Sequence, residues 1–449
     1  MANPPTRPAF SFLLLLSSLF FSPTRSASFG VNYGRIADNL PPPPKVVELL
    51  RTNSIANVRL FDTDAGVLSA LANSGISVLV SLPNELLSLA ASSQSFTDAW
   101  VQANVSKYYP STRIVSVAVG NEVFADPHNT TDYLVPAMRN VHVSLTKYNL
   151  SENITVSSPL AFSALQSSYP TSSGAFRADL VELVIKPMLD FLRQTSSSLM
   201  VNVYPFFAYT ANSDKISLSY ALFQENPGVV DSGNGLRYLS LFDAQVDAVY
   251  AALSALQYDD IKITVTETGW PSKGDANEVG AGIQNAAAYN GNLVRRVLSG
   301  KGTPLRPKNT LDVYMFALFN EDQKPGPTSE RNYGLFYPDE SRVYEMPLGA
   351  PEATSHVGAR GGSTWCVANG DVGEERLQRA LDFACGEGGA DCRPIEKGAT
   401  CYEPNTVVAH ATYAFNSYYQ RNARAAGTCY FGGAAYLVTH PPNYGKCEY

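Results

Sequence analysis

No cysteine precedes position 366 in this chain of 449 residues, whereas all six cysteines lie between positions 366 and 447. A large domain is stable through the burial of apolar side chains, but a segment of under about 90 residues often needs covalent cross-links. The sequence therefore predicts a large cysteine-free domain followed by a small module with three disulfides. Sequence spacing does not choose among the possible pairings. Zinc is the competing interpretation, but no C-x2-C pair is present, so we expect no metal.

Positive charge is also scarce. The 33 Lys and Arg residues face 40 Asp and Glu residues, which gives a net charge of −7, and no basic run occurs. This balance argues against a nucleic acid partner and against an anionic membrane surface. The chain has no G-x-S-x-G motif, and its five histidines show no metal-ligand spacing. We therefore expect neither a metal ion nor another cofactor.

Long apolar runs are missing except at the beginning of the chain. The run from Phe10 to Phe21 follows Arg7 and precedes small residues, which is typical of a secretory signal peptide over residues 1–27. The C-terminal NYGKCEY lacks the apolar tail of a glycolipid anchor. We expect a monomeric protein that is secreted to the cell exterior or cell wall, with the vacuole as an alternative, and that has no membrane anchor. Candidate glycosylation sites in N-x-S/T sequons are Asn104, Asn129, Asn149 and Asn153.

Short runs rich in Val and Ile recur along the cysteine-free part, and a helical pattern follows each run. The eight runs cover residues 29–34, 57–62, 77–83, 114–122, 154–159, 199–207, 261–267 and 311–321. Eight such units predict an α/β fold, a (β/α)8 TIM barrel over residues 28–348. The alternative is an open doubly wound sheet, but GVNYGR after the first run has the wrong spacing for its phosphate-binding motif.

A linker and a mainly helical module are predicted after the barrel. Residues 349–363 are small, polar and Gly-rich, as in linkers. In the module over residues 364–449, we expect one helix that ends at Gly386 and a second that is capped by Asn405.

Three of the predicted strands end in a glutamate, and the candidate pair is Glu122 on the fourth and Glu267 on the seventh. The carboxyl ends of barrel strands form the functional face, so these side chains are expected to meet across the barrel mouth. Carboxyl groups about 5–5.5 Å apart suit glycoside hydrolysis with retention of configuration. One carboxyl group then stays protonated, because the neighbouring negative charge raises its pKa.

An alternative interpretation is that each glutamate pairs with an arginine and only closes the barrel. Aromatic residues near the strand ends favour the catalytic interpretation, because aromatic rings in a cleft offer flat faces to sugar rings. The same residue types are also common in protein cores.

Five sequence blocks resemble the plant members of glycoside hydrolase family 17, the glucan endo-1,3-β-glucosidases. In chain order they read GVNYGRIADNLPPP, VAVGNEV, VNVYPFFAY, VTETGWPSKGD and FNEDQKPGPTSERNYGLF. The resemblance implies a barrel that cleaves internal 1,3-β-linkages of glucans such as callose, laminarin or fungal wall glucan. It also implies retention of configuration.

The same resemblance implies roles for individual residues. Glu122 resembles the general acid/base and Glu267 the nucleophile, while Asn121 would hold the sugar 2-hydroxyl group. Glu321 and Lys324 resemble a supporting pair that helps to orient Glu267. The residues that would line the glycan cleft are Tyr33, Tyr204, Phe207, Trp270 and Phe336.

The C-terminal part resembles the cysteine-rich carbohydrate-binding modules of family 43, which bind 1,3-β-glucan. This resemblance implies the disulfides Cys366–Cys429, Cys385–Cys392 and Cys401–Cys447. Two alternative functions stay open at this point. One is a cell-wall-binding protein without turnover, and the other is a related barrel that hydrolyses mixed-linked 1,3-1,4-β-glucan. The biological task, plant defence or callose turnover in development, is also open.

Overall fold

The computed structural model describes residues 28–128, 130–346 and 364–422, and also 424, 428–429, 431–438, 441–442, 444 and 447. These residues form two compact units, one within residues 28–346 and one from residue 364 onward. The predicted signal peptide, the predicted linker and Asn129 lie outside the described residues.

The first unit is a nearly closed barrel of parallel strands, which confirms the predicted fold. Its sheet order is β5-β4-β3-β2-β1-β9-β8-β7-β6. The strands are β1 (Phe29–Tyr33), β2 (Asn57–Leu60), β3 (Ser77–Leu82), β4 (Arg113–Val119), β5 (Thr155–Ser157), β6 (Pro159–Ala161), β7 (Leu199–Asn202), β8 (Ile263–Thr268) and β9 (Asp312–Met315).

The fifth strand of the barrel is split in two at Ser158. Its first half, β5, pairs with β4, and its second half, β6, pairs with β7. The two halves therefore close the barrel as one interrupted strand, so that eight strand positions carry nine segments.

Three strands end at least three residues earlier than the apolar runs predict. The fourth ends at Val119, the sixth at Asn202 and the last at Met315. Gly120 has a φ of +68°, and Pro205 begins a helix, so the backbone leaves the sheet at these points. Glu122, Phe207 and Glu321 accordingly lie in the segments beyond the strands.

Helices follow the strands and cover the outside of the barrel. Most of the buried apolar side chains lie between the strands and these helices, while Leu79, Ala118, Met200 and Tyr314 fill the barrel interior. The helices are α1 (Pro43–Thr52), α2 (Ala65–Ala70), α3 (Leu87–Ser92), α4 (Gln94–Val101), α5 (Leu134–Lys147), α6 (Ala178–Leu180), α7 (Lys186–Gln194), α8 (Pro205–Ala211), α9 (Leu218–Ala221), α10 (Leu241–Ala255) and α11 (Ile283–Leu298). Short antiparallel hairpins form in two of the loops, 165–167 with 175–176 and 229–230 with 237–238.

A register shift in β8 decides where Glu267 points. Val265 pairs with Val201 on β7, but Glu267 pairs with the next residue, Asn202, so β8 has one extra residue here. Val265 packs in the layer under the helices. Strict alternation would put Glu267 in the same layer, because side chains two residues apart share a face of a strand. The bulge instead turns Glu267 into the barrel mouth beside Asn202.

The second unit pairs two strands with two helices. Strand β10 (Trp365–Ala368) is antiparallel to β11 (Ala435–Val438), and the helices are α12 (Glu374–Cys385) and α13 (Val407–Arg421). The disulfides are Cys366–Cys429, Cys385–Cys392 and Cys401–Cys447, the pairs that the resemblance implied.

Helix α12 ends before Gly386, as predicted, but the cap of α13 differs from the prediction. The hydroxyl group of Thr406, not the side chain of Asn405, accepts a hydrogen bond from the backbone N–H of Ala409. The sequence offers two neighbouring residues that can cap a helix, and only the backbone conformation chooses between them.

Candidate active site

A groove of about 1600 Å³ lies at the carboxyl ends of the barrel strands. Its wall includes residues at or just beyond the ends of almost every strand, among them Gly34, Asp62, Asn121, Glu122, Phe162, Tyr204, Glu267 and Phe316. The functional face that barrels use is thus a continuous open groove in this protein. Glu122 and Glu267 both line this groove.

Both carboxylate oxygens of Glu267 accept hydrogen bonds. Oε1 accepts from Nη1 of Arg59 at 2.7 Å, and Oε2 accepts from the hydroxyl group of Tyr204 at 2.8 Å. Arg59 is completely buried, and Glu267 is 6% exposed. A buried cation and a phenol therefore stabilise the negative charge of this carboxylate and fix its orientation.

The ion pair between Arg59 and Glu267 is the kind of contact that the alternative interpretation predicts, in which an arginine pairs with each strand-end glutamate. Here the pairing is limited to one of the two. Arg59 bonds Glu267 at the groove wall, and the structure pairs no cation directly with Glu122 among the described residues. Glu267 lines the groove while the fully buried Arg59 does not, so the ion pair lies behind the groove wall and does not separate Glu267 from a ligand there.

Glu122 has different surroundings. Its Oε1 accepts a hydrogen bond from Nδ2 of Asn202 at 2.9 Å. Burial raises the pKa of the Glu122 carboxyl group, and the negative charge of Glu267 raises it further. The backbone of Glu122 is left-handed, with φ 50° and ψ 39°, which is unusual for a residue other than glycine.

Asparagine and arginine side chains join the two carboxylates into one network. Nη2 of Arg59 donates to Oδ1 of Asn121 at 2.7 Å, and Nδ2 of Asn202 lies 3.4 Å from the same oxygen. The hydroxyl group of Thr266 donates to Oδ1 of Asn202 at 2.9 Å. With its oxygen occupied by Arg59, Asn121 can offer its amide N–H to a ligand in the groove.

Glu321 and Lys324 line the groove, and their role in orienting Glu267 stays a prediction. Glu321 accepts a hydrogen bond from the backbone N–H of Ile36 at 2.8 Å. Lys324 forms an ion pair with Glu330 at 3.0 Å. Among the described residues, neither side chain hydrogen-bonds to Glu267, whose two oxygens accept from Arg59 and Tyr204, but the charges of Lys324 and Glu267 both act on the pKa of Glu321.

Two of the five predicted cleft aromatics, Tyr204 and Phe207, line the groove. Trp270 does not, because its ring is fully buried against Phe206 and its Nε1 donates to the backbone oxygen of Gly280. The chain turns after β8 and carries the indole ring under α8 instead of over the groove.

Tyr33 and Phe336 also belong to the core. Tyr33 is 4% exposed and packs edge-to-face on Phe319, and Phe336 is 1% exposed. Neither of them lines the groove. For these three aromatics the prediction of a cleft position is wrong, because proximity to a strand end does not fix the direction of a ring.

Sequence reasoning missed Arg59 and Asn202. Each is polar, each is almost completely buried, and each stands between apolar neighbours in a strand. An arginine inside NVRLFD and an asparagine inside VNVY are the available signals, because a buried polar residue needs a partner. That signal marks an important position but does not name the partner.

The candidate glycosylation sites differ in accessibility. Asn149 and Asn153 are exposed, whereas Asn104 is half-buried and its amide nitrogen donates to the backbone oxygen of Trp100 at 2.9 Å. Asn104 is therefore the least accessible of the three described sites.

Two kinds of feature are absent from the described part of the chain. No helix there is long and apolar enough to cross a membrane. No group of three or more His, Cys, Asp or Glu side chains there is placed to hold a metal ion.

Comparison with known families agrees with this geometry. The family described as "Glycosyl hydrolases family 17" matches residues 29–348, and the family described as "X8 domain" matches residues 364–436. The chain belongs to glycosyl hydrolase family 17. Its barrel is accordingly that of a glycoside hydrolase, and the X8 domain is a carbohydrate-binding domain.

Relatives of this family 17 hydrolase extend over both units. Glucan endo-1,3-beta-glucosidase 13 of Arabidopsis thaliana is 42% identical over 449 residues, which cover 98% of this chain and 88% of the relative. Glucan endo-1,3-beta-D-glucosidase of Olea europaea is 40% identical over 455 residues, which cover 100% of this chain and 98% of the relative.

Solved structures resemble the barrel. CJP38, a beta-1,3-glucanase and allergen of Cryptomeria japonica pollen, is 43% identical, with a TM-score of 0.69 over 72% of this chain and 100% of its own. One of two plant beta-glucan endohydrolases with distinct substrate specificities is 37% identical, with a TM-score of 0.66 over 71% of this chain and 99% of its own.

Proposed function

We propose that this family 17 hydrolase cleaves internal 1,3-β-glucosidic linkages of glucans with retention of configuration. The observation that carries the proposal is the pair Glu122 and Glu267, two carboxyl groups in one groove with opposite electrostatic surroundings. The names of the relatives from Arabidopsis thaliana and Olea europaea support the choice of linkage.

In the first step, a carboxylate oxygen of Glu267 attacks the anomeric carbon. The glycosidic bond breaks as Glu122 gives its proton to the departing oxygen, and a glycosyl ester on Glu267 forms. Burial and the charge of Glu267 raise the pKa of Glu122, which keeps the proton available. Arg59 and Tyr204 each donate a hydrogen bond to one oxygen of Glu267 and so hold the attacking carboxylate in place.

In the second step, water cleaves the ester. Glu122 is now ionised and takes a proton from the water molecule, whose oxygen bonds to the anomeric carbon, and Glu267 leaves as a carboxylate. The two inversions give overall retention. Asn121 is the proposed donor to the sugar 2-hydroxyl group, because Arg59 fixes its amide and leaves its N–H free to bond a ligand.

The size and lining of the groove favour a polymer that is cut internally. At about 1600 Å³ the groove exceeds the roughly 300–1,000 Å³ of typical small-ligand pockets. Tyr204 and Phe207 supply rings near Glu267, and Tyr169 supplies one that is 79% exposed. Such rings suit the apolar faces of consecutive sugar units.

The X8 domain is proposed to hold the enzyme on insoluble glucan by raising its local concentration. Three disulfides in this domain and the signal-like N-terminal segment support secretion to the cell exterior or wall.

The experiment is the hydrolysis of laminarin oligosaccharides, with the anomer of the first product followed by NMR. We expect internal cleavage and a β-anomer that mutarotates later. An α-anomer as first product would contradict the double displacement, and a lack of reducing-end release would favour a wall-binding protein. A higher rate on lichenan than on laminarin would favour the mixed-linked substrate.

A further inference from the structure

The peptide unit between Asn121 and Glu122 is held from two neighbouring strands. Its carbonyl oxygen, from Asn121, accepts a hydrogen bond from Nδ2 of Asn84 at 3.0 Å. Its N–H, from Glu122, donates to the backbone oxygen of Pro159 at 2.9 Å. Asn84 follows β3 and Pro159 begins β6, so the peptide is fixed on both sides of β4.

The same amide of Asn84 also bonds the preceding peptide. Its Oδ1 accepts from the backbone N–H of Asn121 at 2.8 Å, so one side chain holds both the N–H and the C=O of this residue. The Nδ2 atom also donates to Oδ2 of Asp126 at 2.8 Å, beyond the turn that contains Glu122. Asn84 thus bonds the chain before and after the proposed acid/base.

The hydrogen bonds with Asn84 and Pro159, here called the clamp, hold a strained part of the backbone. Glu122 is left-handed, and a residue other than glycine keeps that conformation only if its surroundings impose it. The φ angle of Glu122 is set by the peptide that Asn84 and Pro159 hold. Loss of the Asn84 bonds would release one side of this peptide and allow the carboxyl group to move.

The absence of a side chain at Gly120 leaves room for the amide of Asn84. A Cβ atom at this position would lie 2.9 Å from Oδ1 of Asn84 and 2.6 Å from Cγ2 of Val123. The φ of Gly120 is +68°, a conformation that also favours glycine. The backbone of β4 can therefore approach Asn84 closely only because this residue has no side chain.

We infer that Asn84 is a positioning residue that holds Glu122 in the geometry for proton transfer, although Asn84 itself does not line the groove. This inference rests on the proposed role of Glu122 as acid/base. It assigns to a side chain behind the groove wall a selective effect on the proton transfers of Glu122, which kcat/KM reports through protonation of the leaving oxygen.

The test compares two leaving groups with Asn84→Ala. A sugar hydroxyl leaves only when protonated, whereas 2,4-dinitrophenolate leaves without a proton. We expect kcat/KM for laminarin oligosaccharides to fall about 10²-fold, because a misplaced catalytic group loses about that much rate. For 2,4-dinitrophenyl β-laminaribioside we expect a change of less than about threefold, since this bond breaks without the acid.

Two further variants separate the possible failures. Glu122→Ala must show the same dependence on the leaving group, and if it does not, the proposed function fails. If Glu122→Ala shows it but Asn84→Ala loses activity equally on both substrates, the positioning role is wrong. Asn140→Ala is the matched control, because Asn140 also bonds two backbone oxygens, those of Ala90 and Ala91, away from the groove.

Asn84→Asp covers the case in which the alanine variant does not fold. A carboxylate still accepts from the N–H of Asn121, but it cannot donate to the carbonyl oxygen and it faces Asp126. We expect the same selectivity for the leaving group in this variant. An aspartate variant that folds and keeps wild-type kcat/KM on laminarin oligosaccharides would overturn the inference.

Discussion

The ends of β4 and β8 carry the same side chain, a glutamate, into one groove but give it different partners. At β8, a bulge turns Glu267 inward onto a buried arginine and a tyrosine hydroxyl. At β4, a left-handed turn places the half-buried Glu122 beside an amide and near the charge of Glu267. The difference shows that one type of side chain at two strand ends takes its electrostatic environment from the partners that the barrel brings beside it.

Removal of the β8 carboxylate is expected to have the largest effect. In Glu267→Ala, we expect hydrolysis of laminarin to fall about 10⁴-fold or more, since no glycosyl ester can form. With azide and an activated substrate, this variant should give an α-glycosyl azide, whereas Glu122→Ala should give the β-azide. NMR of the two products tests whether the strand ends have different roles.

The Glu267→Ala variant needs a control that separates loss of the nucleophile from loss of stability. Without Glu267, Arg59 is buried and unpaired, which costs about 3–5 kcal/mol. Glu267→Gln keeps an acceptor for Arg59 and should unfold closer to the wild type in thermal melts. Residual activity above about a hundredth of the wild-type rate in either variant would contradict the nucleophile role.

The β4 carboxyl group is tested by Glu122→Gln. We expect kcat/KM on laminarin to fall by about 10²–10⁴-fold, the usual contribution of a general acid. The pKa of Glu122 is raised by burial and by Glu267, so wild-type activity should persist above the ordinary glutamate range and fall as the pH rises through this pKa. The high-pH limb of the kcat/KM profile should vanish in the variant, and an unchanged limb would assign it to another group.

Arg59→Lys tests what the buried cation contributes at β8. Lysine keeps the charge, but it cannot bond Glu267 and Asn121 with two separate nitrogens as Arg59 does. We expect kcat to fall by about 10- to 100-fold, from the loss of charge-assisted hydrogen bonds. The control is Arg193→Lys, which weakens an exposed pair with Asp260 and should leave kcat unchanged. Equal effects of the two substitutions would show that Arg59 has no special role.

Tyr204→Phe should have the smallest effect. It removes the hydroxyl group that bonds Oε2 of Glu267 and keeps the ring in the groove. We expect kcat to fall about tenfold, with KM little changed. Phe207→Ala is the complement, since it should raise KM with kcat nearly unchanged. Steady-state kinetics on one laminarin oligosaccharide separates the two, and a pure KM effect of Tyr204→Phe would rule out its role at Glu267.

Local sequence patterns were sufficient for the barrel and for the positions of the two glutamates. Apolar runs followed by helical patterns identify strand–helix units, and the carboxyl ends of such strands share one face of a barrel. The same patterns were not sufficient for the aromatic residues. Trp270 and Tyr204 both lie near strand ends, yet one is buried under α8 and the other lines the groove.

The network around the carboxylates was even less accessible to sequence reasoning. Arg59 and Asn202 are visible as polar residues within apolar strands, but nothing nearby in the sequence identifies their partners. Glu321 and Lys324 are expected to help orient Glu267, but their hydrogen bond and ion pair are with Ile36 and Glu330, so such a role acts through their charges.

The sequence by itself determined the division into a cysteine-free barrel and a cross-linked module, and it placed one glutamate after each of two strands. These features follow from composition and from periods of a few residues, which are local properties of the chain. Only the tertiary structure decided that Glu267 faces the groove and that Arg59, 208 residues away, bonds it. The physical reason is that one extra residue in β8 reverses the direction of a side chain, and that a buried charge takes its partner from whichever strand the closed barrel brings beside it.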